Sequence, residues 1–335
     1  MSEPKPVKKR IVYIDYLKGL TILWVVWYHT VHPEFVEFSF RIPLFFFVSG
    51  IFFRPYGFVT FLKKKVNTLL VPFVLFYLIY YLYYICLWVV SGRDISTFDF
   101  STIFSLFGLY KGHASFVINP PLWFIFALVN LQFLLYFIVR ISIPKIWIAV
   151  VAVAISLADI LWFYDVPTMF MWGRCLRYFA FYSFGYLYGK ELLSVIECEK
   201  GRIASLLTGL TGFVVFLVCW QLKPLAEAGT LLFEMVNYIE IFALILFMVY
   251  LLKYISPLPA LRFLKFYGQN SYIVLGMHEI ILTLLLLTYH RVIGGTPDVI
   301  GGIVMLVATT LLLYPIILLF NRVCPELVGK NELWK

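Results

Sequence analysis

Long apolar segments recur along the whole chain and constrain its fold more than any other feature of the sequence. Polar residues divide them into about ten candidate membrane spans, each near the ~20 residues that a helix needs to cross a bilayer. With 62% hydrophobic and 13% charged residues, the 335-residue chain has too little polar surface for a soluble protein of this size. The sequence therefore predicts an all-α integral membrane protein, with spans over residues 12–31, 40–57, 66–90, 122–139, 146–164, 174–189, 203–221, 235–252, 271–289 and 299–320.

Lysine and arginine residues are distributed unevenly between the two sides that ten spans define. With the N-terminus in the cytoplasm, 20 of the 27 basic residues fall on the inner side, as the positive-inside rule requires. We therefore expect two cytoplasmic tails, residues 1–11 and 322–335, around a membrane domain of residues 12–321. This distribution explains the net charge of +9 by contact with membrane lipids, without a nucleic-acid partner. The sequence indicates no cleavable signal peptide, because the first apolar segment is interrupted by Asp15 and Lys18.

Ionisable side chains inside spans are costly, and they usually face the interior of a helix bundle or a wet cavity. In the first span, Lys18 and His29 are eleven residues apart. A helix places them within about 20° of one face and about 16 Å apart along its axis. Asp15 lies about 60° from Lys18 on the same side. This stripe favours a functional site, although an interfacial Asp15–Lys18 pair and a packing histidine are the alternatives.

Two arginines near the outer end of the sixth span form a second candidate. Arg174 and Arg177 are three residues apart, so they are neighbours on one helical face. Paired guanidinium groups can hold a phosphate or carboxylate. Structural ion pairs with Glu240 or Asp159 are equally compatible with the sequence, because intramembrane charges are commonly paired.

Other candidates lie at the fourth and ninth spans and in the outer loops. Trp123 begins the fourth span, either as an interfacial belt residue or as a platform for a sugar ring. His278 shares a helical face with Ser271, and Glu279 beside it is expected to point elsewhere. Residues 91–121 form a long outer loop, which suits a lid or an ordinary amphipathic loop. His32 and Glu34 follow the first span, where acceptor contact and plain loop are both open.

The sequence lacks several motifs that would indicate other chemistry. It has no Walker A loop, no G-x-G-x-x-G fingerprint, no H-E-x-x-H pair and no G-x-S-x-G elbow. Five cysteines without a C-x-x-C pair predict neither a disulfide framework nor a metal site. An imidazole near the membrane exit suits general-base catalysis, because it titrates near the working pH. It could deprotonate a hydroxyl for attack on an acyl carbonyl, while a cationic stripe guides an anionic donor.

Five segments in a fixed order carry a family resemblance. The first, IDYLKGLTILWVVWYHT, contains Asp15, Lys18, Gly19 and His29. The others are IPLFFFVSGIFF with Ser49, PPLWFIFAL with Trp123, RCLRYFAFYSFGYLYGK with both arginines, and GQNSYIVLGMHEI with His278. Together they resemble the acyltransferase 3 family of integral membrane acyltransferases, and within it the branch described as fucose 4-O-acetylase-like.

The resemblance implies a ten-helix fold in a bacterial inner membrane. The implied reaction is acetyl transfer from cytoplasmic acetyl-CoA to a sugar hydroxyl of a cell-surface polysaccharide or its lipid-linked precursor. His29 would be the essential histidine and Lys18 its basic partner on the donor side, with Asp15 beside it. The expected substrate-binding residues are Ser49, Trp123, Arg174, Arg177, Glu240 and His278.

One segment departs from the family pattern. Relatives often carry two arginines three residues apart before the third helix, whereas Lys65 and Thr68 have that spacing here. We expect Lys64 and Lys65 to bind the donor in their place. The alternative function is a polytopic transporter or flippase for a glycolipid or organic anion. The chain lacks the internal repeat typical of that class.

Overall fold

The computed structural model describes residues 11–30, 40–111, 117–163, 166–198 and 202–330. These residues form α-helices joined by loops and short 3-10 or π-helical turns, and they contain no β-strand. The prediction of an all-α protein is therefore confirmed. The helices are α1 (Val12–Thr30), α2 (Arg41–Ile51), α3 (Phe58–Val90), α4 (Trp123–Arg140), α5 (Lys145–Ala158), α6 (Phe179–Glu197), α7 (Arg202–Leu222), α8 (Leu231–Ile255), α9 (Arg262–Gln269), α10 (Ser271–Val292) and α11 (Val299–Val323).

Seven helices in the described part of the chain are long and apolar enough to cross a membrane, by length and composition. They are α3, α4, α5, α7, α8, α10 and α11 with their flanking turns. Large apolar side chains cover their outer faces; on α11, for example, Ile300, Val304 and Leu311 are 61–70% exposed. Such surface is tolerated in lipid. The chain is therefore a multi-pass membrane protein, while the count of ten spans and the sides of the termini stay predictions.

The sixth predicted span begins later than expected. Continuous helix starts at Phe179, after a helical turn at Trp172–Cys175 and a 3-10 turn at Leu176–Tyr178. Side chains of the α5 segment supply the cap. Asp159 Oδ2 accepts the backbone N–H of Arg177 at 2.9 Å, and Ser156 Oγ accepts that of Ala180 at 2.9 Å. The first N–H groups of a helix have no partner inside it, so Ser156 stabilises the first turn of α6, and Asp159 stabilises the 3-10 turn that precedes it.

Glycine allows two pairs of helices to approach at backbone distance. A Cβ on Gly19 of α1 would lie 1.9 Å from the backbone oxygen of Leu264, and one on Gly268 of α9 would lie 1.8 Å from that of Asp15. Gly50 of α2 and Gly185 of α6 meet each other's helices in the same way. Small residues at helix interfaces are a common means of close packing in membranes.

Helix α1 lies between two groups of buried apolar side chains. Ile14 and Leu17 pack into a core formed with α2, α4, α5, α6 and α8. Ile22 and Val26, one and two turns later, pack into a second core formed with α3, α10 and α11. The C-terminal end of α1 therefore lies against α10.

The described part of the predicted outer loop, residues 91–111 and 117–119, packs against α3 and α10. It contains 3-10 helices at Ile95–Thr97 and Phe100–Phe107. Tyr77 and Tyr81 of α3 donate hydrogen bonds to the carbonyls of Ile103 and Phe100, at 2.9 and 3.1 Å. Asn119 donates to the carbonyl of Gly276 on α10 at 3.0 Å. The loop is thus fastened to α10 two residues before His278.

Candidate active site

A cavity of about 250 Å³ lies between α1, α2, α4 and α10. Four α1 residues at successive turns line it: Lys18, Ile22, Val25 and His29. The predicted alignment of Lys18 and His29 on one face of α1 is confirmed by this shared lining. Most of the other residues that line the cavity are apolar, so few polar side chains surround the charged groups at its two ends.

His29 lies beside Glu279, which the sequence analysis expected to point elsewhere. That expectation is wrong: His29 Nδ1 lies 2.8 Å from Glu279 Oε1, with the two side chains 27% and 18% exposed. Helical spacing separates Glu279 from His278 by about 100° of rotation. It does not reveal that the end of α1 lies close enough for both side chains to reach it. The signal available in sequence was the cost of an acid inside a span, which applies to Glu279 as it does to His29.

The His29–Glu279 contact determines which nitrogen of His29 carries the proton in the neutral ring. A carboxylate only accepts hydrogen bonds, so Nδ1 carries the proton and donates a hydrogen bond to Glu279. In the neutral ring Nε2 is then unprotonated and can accept a proton. His29 also lies in the last turn of α1, where the helix dipole favours a positive charge. Both features stabilise the imidazolium that forms when Nε2 takes up a proton.

His278 packs against His29 from within α10. It is fully buried, and the two ring centroids are 5.3 Å apart. Its Nδ1 lies 2.8 Å from the carbonyl oxygen of Val274 and donates to it, because a carbonyl has no proton to give. Nε2 of His278 therefore keeps its lone pair, and it has no hydrogen-bond partner among the described residues.

The opposite end of the cavity is formed by Lys18 and its neighbours. The Lys18 ammonium lies 5.7 Å from the centroid of the Phe52 ring. Asp15 is buried outside the described lining and accepts a hydrogen bond from Gln269 Nε2 at 3.1 Å. Because Gln269 ends α9, Asp15 ties α1 to α9 next to the Gly19 and Gly268 contact.

Ser49 of α2 and Trp123 of α4 also line the cavity. The Trp123 ring is partly buried and lies 5.9 Å, centroid to centroid, from the ring of Tyr178. An indole in that position faces the interior of the bundle. Of the two readings open for Trp123 in the sequence, the geometry favours a contact with a bound molecule.

The arginines and Glu240 are not part of the described lining of this cavity, and their role in substrate binding stays a prediction. Arg177 Nε lies 3.7 Å from Asp159 Oδ2, whereas Arg174 is exposed. Glu240 Oε2 lies 2.7 Å from Lys223 Nζ. Of the two acidic partners that the sequence left open for the arginines, Arg177 has Asp159. Glu240, the other, pairs with Lys223 instead of an arginine. Arg177 also lines a separate pocket of about 430 Å³ beside α8.

The predicted donor-binding lysines lie at the start of α3. The Lys64 ammonium is 3.7 Å from the centroid of the Tyr56 ring, and that of Lys65 is 5.4 Å from the Phe61 ring. Neither is part of the described lining of the cavity. His32 and Glu34 lie outside the described residues.

Comparison with known proteins identifies the family but no individual relative. No curated protein and no solved structure matches the chain. The model of the Acyl_transf_3 family, described as an acyltransferase domain, matches residues 11–320. This range includes every residue of the cavity and both members of the His29–Glu279 pair. The chain belongs to the acyltransferase 3 family and is a membrane acyltransferase.

Proposed function

We propose that the protein is an O-acetyltransferase of a bacterial inner membrane, which moves an acetyl group from cytoplasmic acetyl-CoA to a sugar hydroxyl of a surface polysaccharide or its lipid-linked precursor. One observation carries the proposal: His29, oriented by Glu279, lies in the same cavity as Lys18. A base and a cation at separate ends of one apolar cavity suit transfer from an anionic thioester to a neutral alcohol.

In the proposed reaction, His29 acts as a general base toward the acceptor. Nε2 removes the hydroxyl proton as the oxygen attacks the thioester carbonyl, and Glu279 stabilises the resulting imidazolium through Nδ1–H. The tetrahedral intermediate then collapses with cleavage of the carbon–sulfur bond. The thiolate takes the proton from Nε2, so the products are the acetyl ester and the free thiol, and His29 is neutral again.

The volume of the cavity limits which part of the donor can enter it. Pockets that enclose a drug-sized ligand measure roughly 300–1,000 Å³, so a cavity of about 250 Å³ suits the thin thioester arm of acetyl-CoA. In this arrangement Lys18 binds an anionic group of the donor. Lys64 and Lys65, at the predicted cytoplasmic end of α3, attract the nucleotide part. Trp123 would contact the acceptor ring, because aromatic faces stack on the apolar faces of sugars.

The test measures acetyl transfer with purified protein in lipid vesicles. Acetyl-CoA labelled in the acetyl group is supplied on one side with lipid-linked glycan from the host, and labelled ester and free thiol are quantified together. We expect His29→Ala to abolish both products. The matched control is His290→Ala, which removes an exposed histidine from α10. Full activity of His29→Ala would contradict the proposed function.

A second measurement separates enzyme from transporter. Ester-linked acetyl groups on the surface glycan are counted by mass spectrometry in cells with and without the gene. Loss of acetylation, restored by the wild-type gene and not by His29→Ala, supports acetyl transfer. Unchanged acetylation combined with lost glycan export would instead favour the transporter.

A further inference from the structure

We infer that His29, His278 and Glu279 form a binding site for Zn²⁺, and that the bound ion switches acetyl transfer off. One potential ligand atom from each residue lies within 4.8 Å of those of the other two. Two imidazoles and one carboxylate are a ligand set that binds zinc in proteins, with one coordination position left for water. Neither the proposed reaction nor the family match requires a metal.

The hydrogen bond of His278 prepares it for such a role. Histidines that bind metals usually donate their other ring N–H to a carbonyl or carboxylate, which fixes the tautomer and the ring orientation. His278 Nδ1 makes this contact with the carbonyl of Val274 at 2.8 Å. Its Nε2 is fully buried, has no hydrogen-bond partner among the described residues, and belongs to a ring that packs on His29. Zinc would satisfy this lone pair.

The pair of His29 and Glu279 supplies the other two ligands. Zn²⁺ bound at about 2.0–2.2 Å from each atom keeps neighbouring ligand atoms roughly 3.3 Å apart in tetrahedral geometry. His29 Nδ1 and Glu279 Oε1 now lie 2.8 Å apart, at hydrogen-bond distance, so the ion takes the place of the shared proton. Both side chains are partly exposed and can adjust, whereas His278 is held by Val274.

Occupation of Nδ1 by zinc would disable the base on the same ring. A neutral imidazole has one proton, and if Nδ1 holds the metal that proton must be on Nε2. Nε2 then cannot accept the hydroxyl proton of the acceptor. The switch is therefore a change of tautomer in His29, and it needs no movement of helices.

Zinc binding can be measured without any transfer assay. The full chain, with a tag that lacks histidine, is stripped with a chelator in detergent and titrated with Zn²⁺ against a chromophoric chelator. We expect one zinc ion per chain that both His278→Ala and Glu279→Gln weaken by at least about tenfold, the lower bound for disturbing even an outer partner of a metal site. His290→Ala is the control and should bind as the wild type does. Equal affinity in wild type and His278→Ala would overturn the site.

A readout on the wild-type protein alone covers the case in which the variants do not fold. Co²⁺ in place of zinc should give the intense visible absorption of a four-coordinate ion, and Zn²⁺ should remove it. Absence of that absorption would overturn the site. The inhibitory part rests on the proposed function: Zn²⁺ should stop release of free thiol, and a chelator should restore it. Zinc bound at these residues with undiminished acetyl transfer would refute the switch while leaving the proposed function intact.

Discussion

Replacing Glu279 with glutamine tests the central geometry of the site, because it keeps the shape of the side chain and removes its charge. In the structure Glu279 Oε1 accepts a hydrogen bond from His29 Nδ1, with 2.8 Å between the two atoms. Glu279 is not among the described residues that line the cavity, so Glu279→Gln should leave donor binding nearly unchanged. The expected effect is confined to kcat.

Two consequences of Glu279→Gln set the size of that effect. Loss of one hydrogen bond to a charged group is worth about 1.5–3 kcal/mol, which corresponds to a decrease in kcat of about 10- to 150-fold. The amide can also turn its NH₂ group toward His29. Nδ1 would then accept, Nε2 would carry the proton, and the base would be lost. In serine proteases the comparable change of Asp to Asn lowers kcat about 10⁴-fold. We therefore expect a decrease between about 10-fold and 10⁴-fold.

The assay is steady-state release of free thiol at saturating acceptor, with acetyl-CoA varied. The control is Glu191→Gln, which removes an exposed carboxylate that pairs with Lys145 at 3.0 Å on the surface. That variant should retain wild-type kinetics. The reasoning would be refuted if Glu279→Gln lost no more activity than Glu191→Gln. It would also be refuted if the loss appeared only in KM for acetyl-CoA.

Three further predictions follow from other contacts. Lys18→Gln should raise the KM for acetyl-CoA about tenfold or more, as expected from loss of a charged hydrogen bond. Lys145→Gln, on the surface, should leave this KM unchanged, and equal KM values for the two variants would exclude Lys18 from donor binding. Gly19→Val should lower the unfolding temperature in detergent, because its Cβ would lie 1.9 Å from the Leu264 carbonyl oxygen and such overpacking costs about 1–3 kcal/mol. The control is Gly57→Val, where a Cβ meets nothing within 4 Å. Equal unfolding temperatures of the two variants would contradict the contact. In the loop after α3, Lys111, together with Ser101 and Tyr110, holds the pKa of Asp99 well below its usual range. Because the folded-state pKa is depressed, the contact stabilises the loop at pH values above the ordinary carboxyl pKa, and this stabilisation is lost as the pH falls toward the folded-state pKa. Hydrogen-exchange protection of residues 95–107 should therefore drop on acidification, and Asp99→Asn should remove that drop.

Features that depend on one helix at a time could be predicted from the sequence. Apolar runs identify the helices because the bilayer imposes their length. The spacing of Lys18 and His29 predicts their common face because a straight helix repeats every 3.6 residues. Both results follow from local geometry, and the structure confirms that these two side chains share a cavity.

Features that depend on how two helices meet could not be predicted. Glu279 reaches His29 only because α10 lies against the end of α1, and the two residues are far apart in the chain. The late start of α6 has a similar origin, since Ser156 accepts the N–H of Ala180 in its first turn and Asp159 accepts that of Arg177 in the turn before it. The arginine pair matched a binding motif in sequence, but Arg177 is held by the same Asp159.

Three of the ion pairs among the described residues differ in whether one partner also lines the cavity of Lys18 and His29. Asp159 with Arg177 and Lys223 with Glu240 join neighbouring helical segments and lie outside the described lining of the cavity. The pair of His29 and Glu279 uses one ring nitrogen in the same manner, but an imidazole has a second nitrogen, and His29 lines the cavity. The guanidinium or ammonium group of the other two pairs cannot accept a proton, because it has no lone pair. The cost of a charge in the membrane thus explains why each pair exists, and in the proposed reaction the base comes from the pair that contains an imidazole.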